Sequence, residues 1–229
     1  MRTIGLIGGM SWESTALYYR LVNEDVRDRL GGLHSAPCLI ASVDFAEIEA
    51  MQVAGEWERA GQVLVEHARA LEAAGAEVVA LCTNTMHKVA PAIEAALGVP
   101  FVHLVDVTAD AIVAAGLRDV ALLGTRFTME EGFYRDRMAE RGVRTRVPDT
   151  AGRAMVDEVI FGELVRGVVS DTSRHRYVEV VEQLAADGAQ AVVLGCTEIE
   201  LLVRPEDVSV PVFASTALHA RAIIDTALG

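Results

Sequence analysis

Three segments of this chain occur twice, in the same order. Arg2-Thr3-Ile4-Gly5-Leu6-Ile7-Gly8 resembles Arg118-Asp119-Val120-Ala121-Leu122-Leu123-Gly124. Gly75-Ala76-Glu77-Val78-Val79-Ala80-Leu81 resembles Gly188-Ala189-Gln190-Ala191-Val192-Val193-Leu194, and Val99-Pro100-Phe101 resembles Val210-Pro211-Val212. The shifts are 116, 113 and 111 residues. One match would be weak, because strand-Gly patterns are common in α/β proteins. Three at nearly one shift predict two related units built on one plan.

The plan reads as α/β. Apolar runs of strand length alternate with amphipathic segments of helix length. Strands are expected at Thr3–Ile7, Leu39–Val43, Val78–Leu81 and Pro100–Val105. Ser11 caps a helix with Leu17, Leu21, Val22, Val26 and Leu30 on one face. Glu56–Ala74 reads as a helix stopped by Gly75, and another runs from the third strand to about Leu97, stopped by Gly98. The rhythm continues to the C-terminus and predicts parallel sheets covered by helices. The expected division is residues 1–107 plus 210–229 for the first unit and 108–209 for the second.

The formal charge of −13 argues against a nucleic-acid partner, which needs a basic face. No apolar run approaches the roughly 20 residues of a membrane span, and the N-terminal run lacks the marks of a signal peptide. No membrane association and a cytoplasmic location are expected. Cys38, Cys82 and Cys196 are odd in number and widely spaced, without a Cys-x-x-Cys. Neither a disulfide framework nor a metal site is expected. Lys88 is the only lysine, so a pyridoxal-phosphate enzyme, which needs a Schiff-base lysine, would hang on that residue alone.

The repeat carries a chemical consequence. Aligned from Gly75 and Gly188, Thr83 falls opposite Cys196 and Asn84 opposite Thr197. Each lies in a polar turn after a strand, where ligands of open α/β sheets bind. Backbone N–H groups at the following helix start suit a carboxylate. Two facing units would set Thr83 and Cys196 on opposite sides of one small ligand. That arrangement suits inversion at carbon, one group removing a proton and the other donating one. A helix N-terminus is expected to lower the Cys196 pKa. Threonine is a weak base and serves best as a donor.

Gly8-Gly9-Met10-Ser11-Trp12-Glu13-Ser14, Cys82-Thr83-Asn84-Thr85-Met86-His87-Lys88, Gly124-Thr125-Arg126-Phe127-Thr128-Met129 and Gly195-Cys196-Thr197-Glu198-Ile199 resemble the aspartate/glutamate racemase family, and within it the L-Asp/L-Glu-specific bacterial branch. The resemblance runs over essentially the whole chain. It implies two pseudo-symmetric Rossmann-like units with the active site between them, a homodimer, no cofactor, and an amino-acid substrate. Many relatives carry Cys-Asn-Thr in the first motif, where this chain has Thr83-Asn84-Thr85; the L-specific branch shares the Thr/Cys pair. Gln52 is implied as a substrate contact by the Gln-x-x-Gly-x-Trp segment. Ala214 stands where close relatives have Asp, so whatever that Asp does is absent here.

Asn84, Thr85 and Thr197 read as substrate-carboxylate contacts or as helix caps. Glu198 tunes Cys196, binds the substrate ammonium, or favours a helix start. Met10 reads as a pocket wall behind the Gly8-Gly9 turn. Thr125 and Arg126 follow a strand, and Arg126 answers substrate charge or pairs with surface acids. His87 is a partner for Thr83 or a plain helix residue. His103 and His219 read as structural, Lys88 as solvated, Cys38 and Cys82 as core. The leading function is a cofactor-independent racemase of acidic amino acids. Hydantoin racemase, glutamate racemase, maleate isomerase and arylmalonate decarboxylase reuse such a pocket. A non-enzymatic two-lobed amino-acid-binding module is the alternative from another class, although a pure binder has no need of a thiol at position 196.

Overall fold

A strand that is apolar throughout must be covered on both faces, and a parallel sheet between helices covers it. The computed structural model describes residues 1–229 and sets the chain's most apolar runs at the centres of two four-stranded sheets. The first sheet holds β1 (Ile4–Gly8), β2 (Cys38–Ser42), β3 (Val78–Leu81) and β4 (Phe101–Val102), in the order β2-β1-β3-β4. The second holds β5 (Asp119–Gly124), β6 (Arg144–Arg146), β7 (Ala191–Gly195) and β8 (Val212–Ala214), in the order β6-β5-β7-β8. Every pairing is parallel, and the central strands β1, β3, β5 and β7 are buried along their whole length.

The registers repeat as well as the order. Ile4 pairs with Val78 as Val120 pairs with Ala191, and Val79 with Phe101 as Val192 with Val212. These are the positions matched by the sequence shifts. Smaller features repeat with them. The Thr3 amide donates to the Glu77 carboxylate at 2.9 Å, and the matching Asp119 amide donates to the Gln190 side-chain carbonyl at 3.1 Å. Gly75 and Gly188 each sit after a helix at positive φ, 101° and 103°, where a side chain would be strained. The two units therefore share a hydrogen-bonding scheme, not merely an outline.

Residues Met1–Leu104 and His219–Gly229 form one compact unit, and Val105–Leu218 the other. The expected division put 210–229 with the first unit. In the structure Val212–Ala214 pair with β7 of the second sheet, so the chain returns later. Each unit has its own apolar core. In the first, Leu64, Ala68 and Leu71 of the helix Trp57–Ala73 pack against Ile7, Val79 and Leu81. In the second, Val156, Ile160, Tyr177 and Val181 pack against Ala121, Leu123, Val192 and Leu194. The buried Tyr177 hydroxyl donates to the Val156 carbonyl at 2.7 Å, so its polar tip is satisfied.

Three elements depart from expectation. Phe45–Ala54 is a helix, capped by Asp44, whose carboxylate accepts from the Ala46 amide at 3.0 Å. Its short apolar face (Ile48, Met51) was too brief to stand out as a period. The helix expected to end at Leu97 opens as a 3-10 turn, Thr85–Val89, before the α-helix Ala90–Ala96. The strand expected over 100–105 is only Phe101–Val102, because Leu104 already begins the helix Leu104–Ala114.

The returning segment is pinned to the first unit by a buried histidine. His219 Nε2 lies 2.8 Å from the Val102 carbonyl and must donate to it. Nδ1 is then the acceptor for the Tyr18 hydroxyl, also at 2.8 Å. Burial, with a smaller push from His103, drives the imidazole pKa down to about 4 against its bond to Val102. A depressed histidine is neutral when folded and binds a proton more readily when unfolded. Its contribution to stability is whole above the unfolded value near 6.5 and is lost as pH falls toward 4. Urea unfolding should show this loss, at most about 3 kcal/mol across that window. His219→Gln, which keeps a donor for Val102, should be less stable at neutral pH and show a flatter slope. An identical slope in the variant would assign the pH dependence to other groups.

Candidate active site

The functional turns follow the central strands. In the first unit Ile7 pairs with Leu81, so the segments after β1 and β3 leave the sheet side by side. After β1, Gly9 takes φ 96°, which favours glycine, and its amide donates to the Thr15 hydroxyl at 2.8 Å. Ser11 caps the next helix as expected, accepting from the Ser14 amide. After β3, the Cys82 amide still donates to Ile7 O at 2.9 Å. Its side chain is wholly buried, and burial drives its thiol far up, with Cys38 adding to the push. Cys38 is itself pushed up to about 11 by burial. Cys82 is a core residue as expected, whereas Cys38 is only half-buried on the edge strand β2.

Thr83 then breaks from the strand. Its amide turns back onto Leu81 O at 3.0 Å, and the residue is half-buried. Asn84, Thr85 and His87 follow in the 3-10 turn and are buried. Gln52 is also buried, and its amide nitrogen rests 3.0 Å from Met86 Sδ, a weak acceptor. Met10 is buried in the same apolar cluster as Met51 and Met86. The structure thus gathers Met10, Gln52, Thr83, Asn84 and Thr85 in the first unit. Lys88 is half-buried, and its ammonium stands 3.8 Å from the centre of the Trp57 ring, a cation–π contact.

In the second unit Gly124 pairs with Gly195, so Thr125 and Cys196 leave adjacent strand ends. A Cβ at Gly195 would press on Leu123 O and Leu122, so the close approach needs glycine. Cys196 is half-buried. Its thiol donates to Glu198 Oε2 at 2.9 Å, and the Thr197 hydroxyl donates to the same oxygen at 2.6 Å. Thr125 caps the short helix Arg126–Glu130, accepting from the Thr128 amide at 3.3 Å. Arg126 is exposed, its amide bonded to Asp157 at 2.7 Å. Ala214 ends β8 opposite Leu194.

The expected lowering of the Cys196 pKa is overturned. Burial pushes the thiol well up, and the Glu198 carboxylate adds to that by charge and by accepting the S–H. Backbone N–H groups of Glu198 and Ile199 oppose the rise and lose. The helix that follows, Ile199–Leu202, has only four residues, too few to build a useful dipole. The thiol is therefore protonated, with a proton acceptor already in hydrogen-bond contact. One group escaped notice in the sequence. Glu200, half-buried, is pushed up to about 7 by burial, against bonds from Thr216, and with a smaller push from Glu198. A second acid two residues after Glu198 in a strand-end turn was the available signal. No cluster of three or more His, Cys, Asp or Glu side chains is arranged to hold a metal ion.

Comparison with known proteins places this geometry. Residues 7–223 match the family described as Asp/Glu/Hydantoin racemase. A Yersinia pestis protein assigned to the Asp/Glu racemases is 52% identical with a TM-score of 0.95, each chain covered in full. An aspartate racemase homologue from Pyrococcus horikoshii OT3 is 35% identical with a TM-score of 0.89, again over 100% of both chains. The aspartate racemase of Picrophilus torridus, 21% identical, shares the fold at a TM-score of 0.79 over 99% of this chain and 94% of its own.

The Cys196–Glu198 contact has a direct chemical readout. Glu198→Gln removes the neighbouring negative charge and leaves burial in place. The thiol pKa should fall yet stay above the ordinary value. Alkylation of Cys196 by iodoacetamide at neutral pH, followed by mass spectrometry of its peptide, should be about tenfold faster, the effect of one pKa unit. An unchanged or slower rate would mean that the carboxylate does not control this thiol.

Proposed function

The chain belongs to the Asp/Glu/Hydantoin racemase family and is a racemase, and from that premise we propose a cofactor-independent, two-base inversion of acidic amino acids, L-Asp and L-Glu. The observation that carries the reading is the Cys196–Glu198 hydrogen bond, at the position that the internal repeat matches to Thr83. Glu198 takes the thiol proton as substrate binds. The resulting thiolate exchanges a proton with one face of the α-carbon, and the Thr83 hydroxyl exchanges one with the other face. Inversion leaves the two carriers with their protonation reversed, and exchange with solvent resets them.

In this reading, recognition of the substrate rests on neutral donors. Asn84, Thr85, Thr125 and Thr197 supply amide and hydroxyl groups for carboxylates. Gln52 gives a donor to the Met86 sulfur, so it gains by turning to a carboxylate oxygen, a far stronger acceptor. Met10 contributes apolar surface beside it. The same reading takes the protein as a cytoplasmic homodimer. No helix is long and apolar enough to cross a membrane.

Chiral analysis after incubation with L-Asp and L-Glu in heavy water tests the substrate class. Cys196→Ala should abolish inversion while circular dichroism stays native. Near-normal turnover would end the mechanism. Thr83→Ala should keep one-sided chemistry: deuterium enters one enantiomer with retention, and inversion is nearly lost. Equal exchange into both enantiomers, or inversion at the wild-type rate, would remove Thr83 as the second carrier. Light scattering should give a dimer mass, and a monomer at working concentration would refute that part.

A further inference from the structure

His87 is the one buried imidazole tied to the Thr83 turn, and both its nitrogens bond to backbone. Nε2 accepts the Leu104 N–H at 3.2 Å, so Nδ1 carries the proton and donates it to Thr83 O at 2.7 Å. The bond to Thr83 follows from how the turn winds. In a 3-10 turn the His87 amide goes to Asn84 O, at 3.0 Å, instead of to Thr83 O four residues back. The ring of the same residue supplies the partner that its backbone withholds. The ring plane is held by His103, Phe101 and His219, with ring centres 4.7, 6.0 and 5.9 Å away.

The second unit repeats one of these two bonds, the one to the crossover helix. Under the shift that matches Thr83 to Cys196, His87 matches Glu200. Glu200 accepts from the Thr216 amide at 3.0 Å, at the start of the helix Ser215–Leu228. His87 accepts from Leu104, at the start of the helix Leu104–Ala114. The chain passes from the first unit to the second after Leu104, and back after Leu218. In each unit, then, the residue four places past the proton carrier anchors the helix that carries the chain across.

From this geometry we infer that His87 is a positioning residue: its Nδ1–H holds the Thr83 carbonyl and so fixes the height of the Thr83 hydroxyl over the substrate, while the Leu104 N–H on Nε2 sets the tautomer that makes Nδ1 the donor. It moves no proton, because both nitrogens are engaged by backbone. The inference rests on Thr83 being a proton carrier. Misplacement by about 1 Å can slow a reaction about a hundredfold, so the effect falls on the Thr83 step and on kcat.

Two amide variants separate the two bonds. The Asn amide nitrogen reaches the Nδ1 site and keeps a donor for Thr83 O. The Gln side chain reaches the Nε2 site, keeps an acceptor for Leu104 N–H and loses the Thr83 bond. His87→Gln should lose about a hundredfold in kcat for inversion with KM little changed, the size expected for a displaced carrier. It should still wash solvent deuterium into the enantiomer that Cys196 serves, at near the wild-type rate. His87→Asn should hold kcat within about tenfold, because the bond to the carrier turn survives. A purely structural role would lower exchange and inversion together and leave the two variants alike. That outcome, or wild-type inversion in His87→Gln, overturns the inference. If His87→Gln does not fold, His87→Asn decides alone: a hundredfold loss there overturns it and retention supports it. Thr83→Ala is run beside them. Wild-type inversion in Thr83→Ala defeats the carrier reading and this inference with it. Loss of inversion there, with none in His87→Gln, defeats this inference only.

Discussion

The register of the central strand pair in each sheet decides which strand-end turns stand side by side. Ile7 opposite Leu81 brings the Gly9-Met10 turn beside Cys82-Thr83. Gly124 opposite Gly195 brings Thr125 beside Cys196. In a parallel sheet a slip of one residue would carry each strand's side chains to the other face. Thr83 would then point where Cys82 is, into a core with no room for a working hydroxyl. Hydrogen bonds at the far ends of the strands oppose the slip. There Glu77 and Gln190 each hold an amide at the start of the neighbouring central strand, Thr3 just before β1 and Asp119 at the head of β5.

Two cysteines, one buried and one half-buried, illustrate how position turns one residue type into different chemistry. Cys82 and Cys196 are both pushed up by burial. Cys82 continues the strand, its amide still paired with β1, and its side chain is lost to solvent. Cys196 stands one place later in the repeat, past the strand end, where Glu198 accepts its proton. A raised thiol pKa makes a poor resting nucleophile but a strong base once deprotonated. An adjacent carboxylate therefore serves an α-proton, which is a weak acid, better than a helix dipole would. The dipole would stabilise the thiolate and weaken it as a base.

Much of this was legible from the residues alone, for a physical reason. The repeat survived in strands and their flanking glycines because buried registers and positive-φ turns tolerate few residue types. Thr83, Asn84, Thr85, Cys196, Thr197 and Glu198 can be singled out as candidates because they follow those strands directly. The sign of the Cys196 shift was not legible, since it depends on a carboxylate and a degree of burial that only folding sets against the backbone N–H groups. The 3-10 winding after Thr83 was hidden because its residues also suit an α-helix. The return to the first unit was placed early because Val210-Pro211-Val212 marks β8, which pairs with β7 before the chain crosses.

The two halves share a scaffold yet carry unlike groups, a hydroxyl against a thiol–carboxylate pair and an imidazole tie against a carboxylate tie. Such asymmetry is compatible with a racemase. Enantiomers have equal free energy, so the equilibrium constant is one and kcat/KM must be equal in the two directions. The unlike carriers can differ only in kcat and KM separately, or in their exchange with solvent. A thiol with a built-in acceptor is recharged easily. A threonine hydroxyl, a far weaker acid, depends on being held in place. On that proposed reading, the half with the weaker carrier is also the half with a bond to the carrier's own carbonyl, from His87 Nδ1 to Thr83 O. In the other half Glu200 holds only the helix start, and Cys196 is oriented by its own bond to Glu198. On the proposed two-base reading, the added backbone bond thus sits on the side of the weaker acid.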